Sequence, residues 1–472
     1  MIALSLREIA EVTGGSVVVL PGVDPATVVV DGPVVTDSRE SGPGGLFVAR
    51  AGEHADGHDH VAGAVERGAV AALVTRPLDG VPCVVVADTQ QAFAALAREV
   101  VRRVPGLAVV GITGSSGKTS TKDLLGTVLA TVGPTVAPVG SYNSEVGVPL
   151  TVCRVTADTR FLVVEMGARG LGHVEYLTTM APPRIGVVLN VGTAHVGEFG
   201  SREAIATAKA ELVEALPPDG LAVLNADDPA VRAMATATPA RVVLVGEAAD
   251  AGVRATDVSL DAGGRASFTV HTSHGSRAVH LGLVGRHHVA NALSVVAVAV
   301  ELGMSVESVC AALESARPVS RWRMEVVERA DGVTLVNDAY NANPDSMHAA
   351  LTALERMGEG RRTWAVLGTM LELGEESDAL HAEVGAEVVA RGVDELLVVG
   401  AAAAALAVGA REAGTASGTN RTRVREVPDA DDAAALLESE LAEGDVVLFK
   451  SSRDAGLRLL GDRLAGPREA LT

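Results

Sequence analysis

Apolar residues in this chain fall in short runs, each closed by glycine or polar residues and followed by a longer segment with helical spacing. Runs at 17–20 and 83–86, with helical spacing over 89–101, predict a small α/β unit. The turn Val104-Pro105-Gly106 then introduces a second series, with runs at 107–110, 161–164, 185–190 and 221–224 that end in polar residues. Helices intervene, one opening at Ser201 and one at 285–291. Such alternation predicts a mostly parallel sheet with ligands at the carboxyl ends of its strands. Residues 311–317 and Pro318 close that unit, and the alternation restarts with strands at 333–336, 363–367, 395–399 and 445–449 and helices such as 375–390. The expected fold class is α/β in three domains. These are a small N-terminal α/β domain over 1–104, a central mononucleotide-binding domain over 105–318, and a Rossmann-like C-terminal domain over 319–472. No glycine fingerprint for a dinucleotide follows the first strand of the third domain, and no repeat of solenoid period occurs.

The central unit opens with Gly111-Ile112-Thr113-Gly114-Ser115-Ser116-Gly117-Lys118-Thr119, between an apolar run and a helical stretch. That context is what a phosphate loop requires, because glycines let successive N–H groups and the positive end of a helix face one anion. Ile112 stands where the general pattern has its first glycine, so the stretch fits the shorter form Thr-Gly-x-x-Gly-Lys-Thr. Thr113 to Thr119 are thus nucleotide-binding candidates, with Lys118 on the β- and γ-phosphates and the Thr119 hydroxyl on magnesium. Glu165, just past the run 161–164, is a carboxylate placed where that magnesium would sit. His195 follows the next strand as a ligand or general base, or as a brace for its loop.

The formal charge of −20 excludes a general nucleic-acid or anionic-membrane binder, which needs a basic face. Cys83, Cys153 and Cys310 show neither metal-ligand spacing nor a paired framework and are expected as reduced core residues. The first residues lack a signal pattern, and no apolar run is long enough to span a bilayer, so a cytoplasmic protein without membrane insertion is expected. Of 39 basic residues only Lys118, Lys122, Lys209 and Lys450 are lysines. A lysine that persists where arginine serves everywhere else is a candidate for point-charge phosphate binding or for chemistry of a neutral amine.

Lys209 is the oddest of the four. It lies inside the apolar stripe Ile205, Ala208, Leu212, Val213 and Leu216, where a lone ammonium is costly. Either it snorkels along the helix edge, or burial depresses its pKa and the neutral amine is modified. His54, His58 and His60 with Asp56 and Asp59 suggest a metal site less well than they suggest loop hydrogen bonds.

The chain resembles the Mur ligases of peptidoglycan synthesis, and within them the branch that adds D-alanyl-D-alanine. The resemblance spans all three domains. It rests on Thr36-Asp37-Ser38-Arg39 with Asp56-Gly57-His58, the phosphate loop, the stretch from Asn143 to Thr151, and Glu165-Met166-Gly167-Ala168. It rests further on Asn190 to His195, Ala208-Lys209, the stretch from Asp338 to Met347, and Leu371-Glu372-Leu373-Gly374. The resemblance implies ATP-dependent amide formation between UDP-MurNAc-tripeptide and D-alanyl-D-alanine through an acyl phosphate and a tetrahedral intermediate. It implies two magnesium ions, with Thr119 and Glu165 on the first and His195 with a carbamylated Lys209 on the second. By the same resemblance Lys118, His195 and Lys209 are catalytic, while Asn291 reads adenine and Arg323 and Asp338 reach the nucleotide from the third domain. Ser38 and Arg39 meet the UDP part, Asn143 lies near the phosphates or substrate, and Lys450 lies near the incoming peptide as a substrate-binding residue.

Trp322 and Ser451 stand where the family commonly has glycine, and Thr369 where it has aspartate. The diamino-acid-adding branch usually carries Asp-Asn-Pro-Arg, whereas Asn343-Pro344 here precedes Asp345. A folylpolyglutamate-type synthetase shares the core chemistry. A regulatory GTPase needs an Asn-Lys pair to read its base, and no Asn precedes Lys in this chain. A monomer is expected.

Overall fold

The computed structural model describes residues 1–52, 55–192, 196–418 and 421–466. Among the described residues three larger sheets follow one another along the chain, beside a two-stranded antiparallel pairing of Leu4–Ser5 with Val29–Val30. The first has the order Ser16–Val18, Cys83–Val85, Ala69–Val74, Gly45–Val48, Val34–Val35, parallel except at its first pair. The helix Leu6–Thr13 before it starts with a reciprocal cap between Ser5 and Glu8 and stops at Gly14, whose φ of 66° no side chain favours.

The second sheet positions the site. Strand Ala108–Thr113 lies between Phe161–Glu165 and Ile185–Val188, parallel to both, and all three are buried apolar runs. Three carboxyl ends therefore converge on one edge, at Thr113, Glu165 and the residues following Val188. Strands Leu221–Asn225, Arg241–Gly246 and Val253–Leu260 continue the sheet, and an antiparallel hairpin, Arg265–Thr272 with Gly275–Val284, ends it. The third sheet has the order Glu325–Glu328, Thr334–Asn337, Val446–Lys450, Thr363–Leu367, Glu395–Val399, Arg423–Val427, parallel save for its first pair.

The expected α/β class, the parallel central sheet and the helices over 89–101, after Ser201 and over 375–390 match the structure, the first two as Thr89–Arg102 and Arg202–Glu214. The strands between 241 and 284 were not expected. In Arg265–Thr272 buried and part-exposed residues alternate, so this strand offers no apolar run. Arg423–Val427 is a charged edge strand and escapes notice for the same reason. Among the described residues no helix is long and apolar enough to cross a membrane.

The core ignores the boundary between the first two sheets. One cluster of buried residues runs from Leu4, Ile9, Phe93 and Leu96 to Val152, Leu177, Leu212 and Met234. Phe93, fully buried on helix Thr89–Arg102, belongs to that cluster. Phe93→Ala is expected to lower the unfolding free energy by about 3–5 kcal/mol. In guanidinium titrations followed by circular dichroism the first two sheet regions should unfold together; an early transition confined to the first would contradict the shared core.

Candidate nucleotide and ligation site

After strand Ala108–Thr113 the chain turns through Gly114 and Gly117 into helix Lys118–Ala130. Gly117 has φ 81°, and a Cβ there would stand 2.8 Å from Asn291 Oδ1. Because glycine caps this helix, no capping side chain competes with an anion for the first-turn N–H groups. The loop is braced from the next strand: Asn190 Oδ1 accepts from the N–H of Ser115 and of Ser116, each at 2.9 Å. Gly192 N–H donates to Ser115 Oγ at 2.9 Å. Lys118 Nζ donates to the Gly114 carbonyl at 2.6 Å. Desolvation draws its pKa down; the charge of Glu165 opposes this and that of Arg323 reinforces it.

Glu165 is 3% exposed. Its Oε2 accepts from the Thr119 hydroxyl at 2.9 Å, and its Oε1 from Ser141 Oγ at 2.8 Å and Asn143 Nδ2 at 3.0 Å. A buried carboxylate met by three neutral donors, one a hydroxyl at the phosphate loop, is the hard-oxygen donor set that suits magnesium. The residues present thus fit that ion.

Three side chains arrive from the third sheet region. Arg323 Nη2 donates to Thr119 Oγ1 at 3.1 Å while its guanidinium lies 4.2 Å over the Tyr340 ring. Its buried Nε has no partner, a donor that a phosphate oxygen would satisfy. Asp338 accepts from Met324 N–H at 3.0 Å and from Lys450 Nζ at 2.5 Å, and Lys450 also donates to the Asn341 carbonyl at 3.1 Å. The two regions touch closely here, since a Cβ on Gly192 would meet Asp345 Oδ2, and one on Gly197 would meet the backbone of Gly374.

A cavity of about 530 Å³ gathers these groups, a size that suits a small-molecule ligand. Ser115, Ser116, Gly117, Lys118, Thr119, Asn143, Glu165, Asn291, Arg323, Asp338 and Lys450 line it. Thr113 is fully buried with an unpartnered hydroxyl, and Gly114 takes part through its carbonyl. Asn291 is 4% exposed, with Nδ2 3.3 Å from His288 Nδ1. Burial lowers the pKa of both His287 and His288, which keeps these cavity-lining rings neutral at pH 7.

Lys209 lies in the apolar stripe as expected and is 4% exposed. Among the described residues it makes no hydrogen bond or ion pair. Burial, aided by the nearby charge of Lys118, brings its pKa down to about 7. His195 lies outside the described residues. Ser38 opens the 3-10 turn Ser38–Glu40, where exposed Arg39 pairs with Asp37 at 2.5 Å; neither residue lines this cavity.

His58 braces its loop. Its Nδ1 lies 2.6 Å from Asp56 Oδ1, and its Nε2 accepts from Thr75 N–H at 2.9 Å, so both ring nitrogens are engaged and neither is available to a metal. Trp322 takes the left-handed φ of 59° that suits glycine. Its indole N–H donates to Asp462 at 3.0 Å and its ring stacks on Tyr340 at 6.4 Å, interactions that hold the strained turn. Ser451 has no such φ, so a serine fits there without strain. The place of Thr369 in the site has no structural explanation.

Sequence reasoning missed Asn190, Ser141 and Tyr340 as site residues. The position of Asn190 just past a buried strand end was a usable signal. Tyr340 lies inside the stretch from Asp338 to Met347 on which the resemblance rests, whereas Ser141 lies just outside the stretch from Asn143 to Thr151 and gave no signal.

The Mur ligase middle domain matches residues 112–299, the glutamate ligase domain of Mur ligases 322–453, and the Mur ligase family catalytic domain 33–108. The UDP-N-acetylmuramoyl-tripeptide--D-alanyl-D-alanine ligase of Mycobacterium bovis is 49% identical, with 98% of each chain covered. The ligase of the same name from Escherichia coli is 36% identical over 97% of each chain. Among solved structures, MurF from Acinetobacter baumannii superposes with a TM-score of 0.86 at 30% identity, covering 98% of this chain and 99% of that one. MurF from Thermotoga maritima in complex with ADP does so with a TM-score of 0.78 at 29% identity, over 92% and 97%.

Gly117→Ala adds a methyl where φ is left-handed and Asn291 is within contact, so ADP affinity is expected to fall at least about tenfold with the fold intact. Calorimetric titration with ADP alongside a thermal melt checks this.

Proposed function

This chain belongs to the Mur ligase family, and we propose that it joins D-alanyl-D-alanine to UDP-N-acetylmuramoyl-tripeptide with conversion of ATP to ADP and phosphate. The observation that carries the reading is the meeting of the phosphate loop, Glu165 and the third-region residues Arg323, Asp338 and Lys450 around one cavity. Full-length identity to ligases of that name supports the choice of acceptor over a diamino acid.

In this reading Lys118 and the first turn of its helix hold the β- and γ-phosphates, and Arg323 takes up charge on the γ-phosphate through its free Nε. A terminal carboxylate oxygen of the tripeptide attacks the γ-phosphorus, and the bond to the ADP oxygen breaks. The amine of D-alanyl-D-alanine then attacks the carbonyl carbon of the acyl phosphate. A tetrahedral intermediate collapses, expelling phosphate that keeps the former carboxylate oxygen, and the amine loses a proton. Lys450, fixed by Asp338, stands at the third-region side of the cavity, on the side from which the incoming dipeptide would approach.

Thr119 and Glu165, with His195 and a carbamylated Lys209, are the residues that would hold magnesium, which would neutralise phosphate charge. Carbamylation needs a neutral amine, and at a pKa of about 7 Lys209 supplies one. Adding CO2 to that neutral amine forms a nitrogen–carbon bond and releases one proton, and the proton already lost from the ammonium completes the change from buried cation to carboxylate. Ser38 and Arg39 take the UDP end, outside the central cavity.

Phosphate release from Mg-ATP with UDP-MurNAc-tripeptide should require D-alanyl-D-alanine and give a product heavier by that dipeptide; release that ignores the acceptor, or prefers meso-diaminopimelate, would contradict the assignment. The carbamate has its own signature. The neutral fraction of Lys209 falls about tenfold per pH unit below its pKa of about 7, so at limiting bicarbonate turnover should drop on acidification and recover when bicarbonate is added. Lys209→Arg should be inactive, and Lys209→Ala should regain activity with a short-chain carboxylate; an active Lys209→Arg would remove the carbamate from the account.

A further inference from the structure

Lys122 is the lysine to which the mechanism gives no work, yet it is 1% exposed and lies one turn behind Lys118 on the same helix. Its ammonium donates to the Pro138 carbonyl at 2.5 Å and to the Asp123 carboxylate. Asp123 Oδ2 in turn accepts from Ser320 N–H at 3.0 Å, and Ser320 Oγ accepts from Gly140 N–H at 2.9 Å. Two segments far apart in sequence, 138–143 and 320–323, are thereby tied to one helix turn. The first carries Ser141 and Asn143, which meet Glu165; the second carries Arg323, which meets Thr119. Both arms end on the two partners of a single hydrogen bond, Thr119 to Glu165.

We propose that Lys122 is a positioning residue for the nucleotide site, clamping segment 138–143 to linker 320–323 so that Ser141, Asn143 and Arg323 orient Thr119 and Glu165. A compact ammonium suits the task, because its three donors can meet a carbonyl and a carboxylate from one buried point, whereas a planar guanidinium needs more room. The inference rests on the proposed function only in taking Thr119 and Glu165 as the residues that would hold a nucleotide's magnesium.

The test titrates ADP into the full-length chain by calorimetry, with and without magnesium chloride and with neither tripeptide nor acceptor. Loss of groups that orient metal ligands commonly costs about 10–100-fold in metal affinity, so Lys122→Met should weaken Mg-ADP by about that factor. Binding of metal-free ADP should change by less than about threefold, since the phosphate loop itself is untouched. A Lys122→Met protein with a wild-type melting curve and wild-type Mg-ADP affinity would overturn the proposal. Should that variant not fold, Ser320→Ala keeps Lys122 and the Ser320 N–H while removing the acceptor for Gly140. It should weaken Mg-ADP more than metal-free ADP, and unchanged selectivity would be equally fatal. Wild-type chain that binds Mg-ADP but ignores D-alanyl-D-alanine would remove the functional reading and leave this one standing; wild-type chain that binds no ADP would remove both.

Discussion

A carboxylate taken out of water must be compensated, and the burial of Glu165 is the constraint on which the site depends. Its donors come from two separate places, Thr119 from the phosphate-loop helix and Ser141 and Asn143 from the segment after it, and Arg323 of the third sheet region is joined to them through Thr119. Each donor can arrive only if strands Ala108–Thr113 and Phe161–Glu165 lie side by side and in parallel, as the register Glu165 opposite Ile112 records. The sheet order thus sets the electrostatics, and the electrostatics set what the cavity can hold.

The four lysines gather the consequences. Lys118, Lys122, Lys209 and Lys450 are all buried or half-buried at or beside the site, and each meets a different local demand. Lys118 sets its ammonium against the Gly114 carbonyl in the phosphate loop, Lys122 ties two segments together, Lys209 carries a depressed pKa with no counter-charge among the described residues, and Lys450 is paired with Asp338. A chain that otherwise uses arginine keeps the ammonium where a small, directionally adaptable or deprotonatable group is needed.

Much of this was legible before any coordinates. Buried parallel strands are apolar runs that end in chemistry-bearing residues, so Thr113 and Glu165 could be placed at one sheet edge by counting, and Asn190, which was missed, follows a strand of the same kind. The stripe around Lys209 placed it on the apolar face but left snorkelling and burial both open, and the structure shows it buried. What escaped was one-faced or carried by distant partners. The hairpin Arg265–Thr272 with Gly275–Val284 alternates, strand Arg423–Val427 is charged, and the Lys122 to Ser320 connection joins residues separated by nearly the whole central region. Trp322 shows the reverse case: a departure from glycine that looked inexplicable as letters is sustained by Asp462 and Tyr340, which only the third sheet region brings near.

The claim at the centre of this account is that the cavity transfers a phosphoryl group to a substrate carboxylate before the amide forms. UDP-MurNAc-tripeptide labelled with oxygen-18 in its terminal carboxylate, incubated with the protein, Mg-ATP and D-alanyl-D-alanine, tests it directly by mass spectrometry of the phosphate released. The account predicts that each phosphate carries one oxygen from the carboxylate. Unlabelled phosphate formed alongside the amide product would contradict it, because the carboxylate would then never have been bonded to phosphorus.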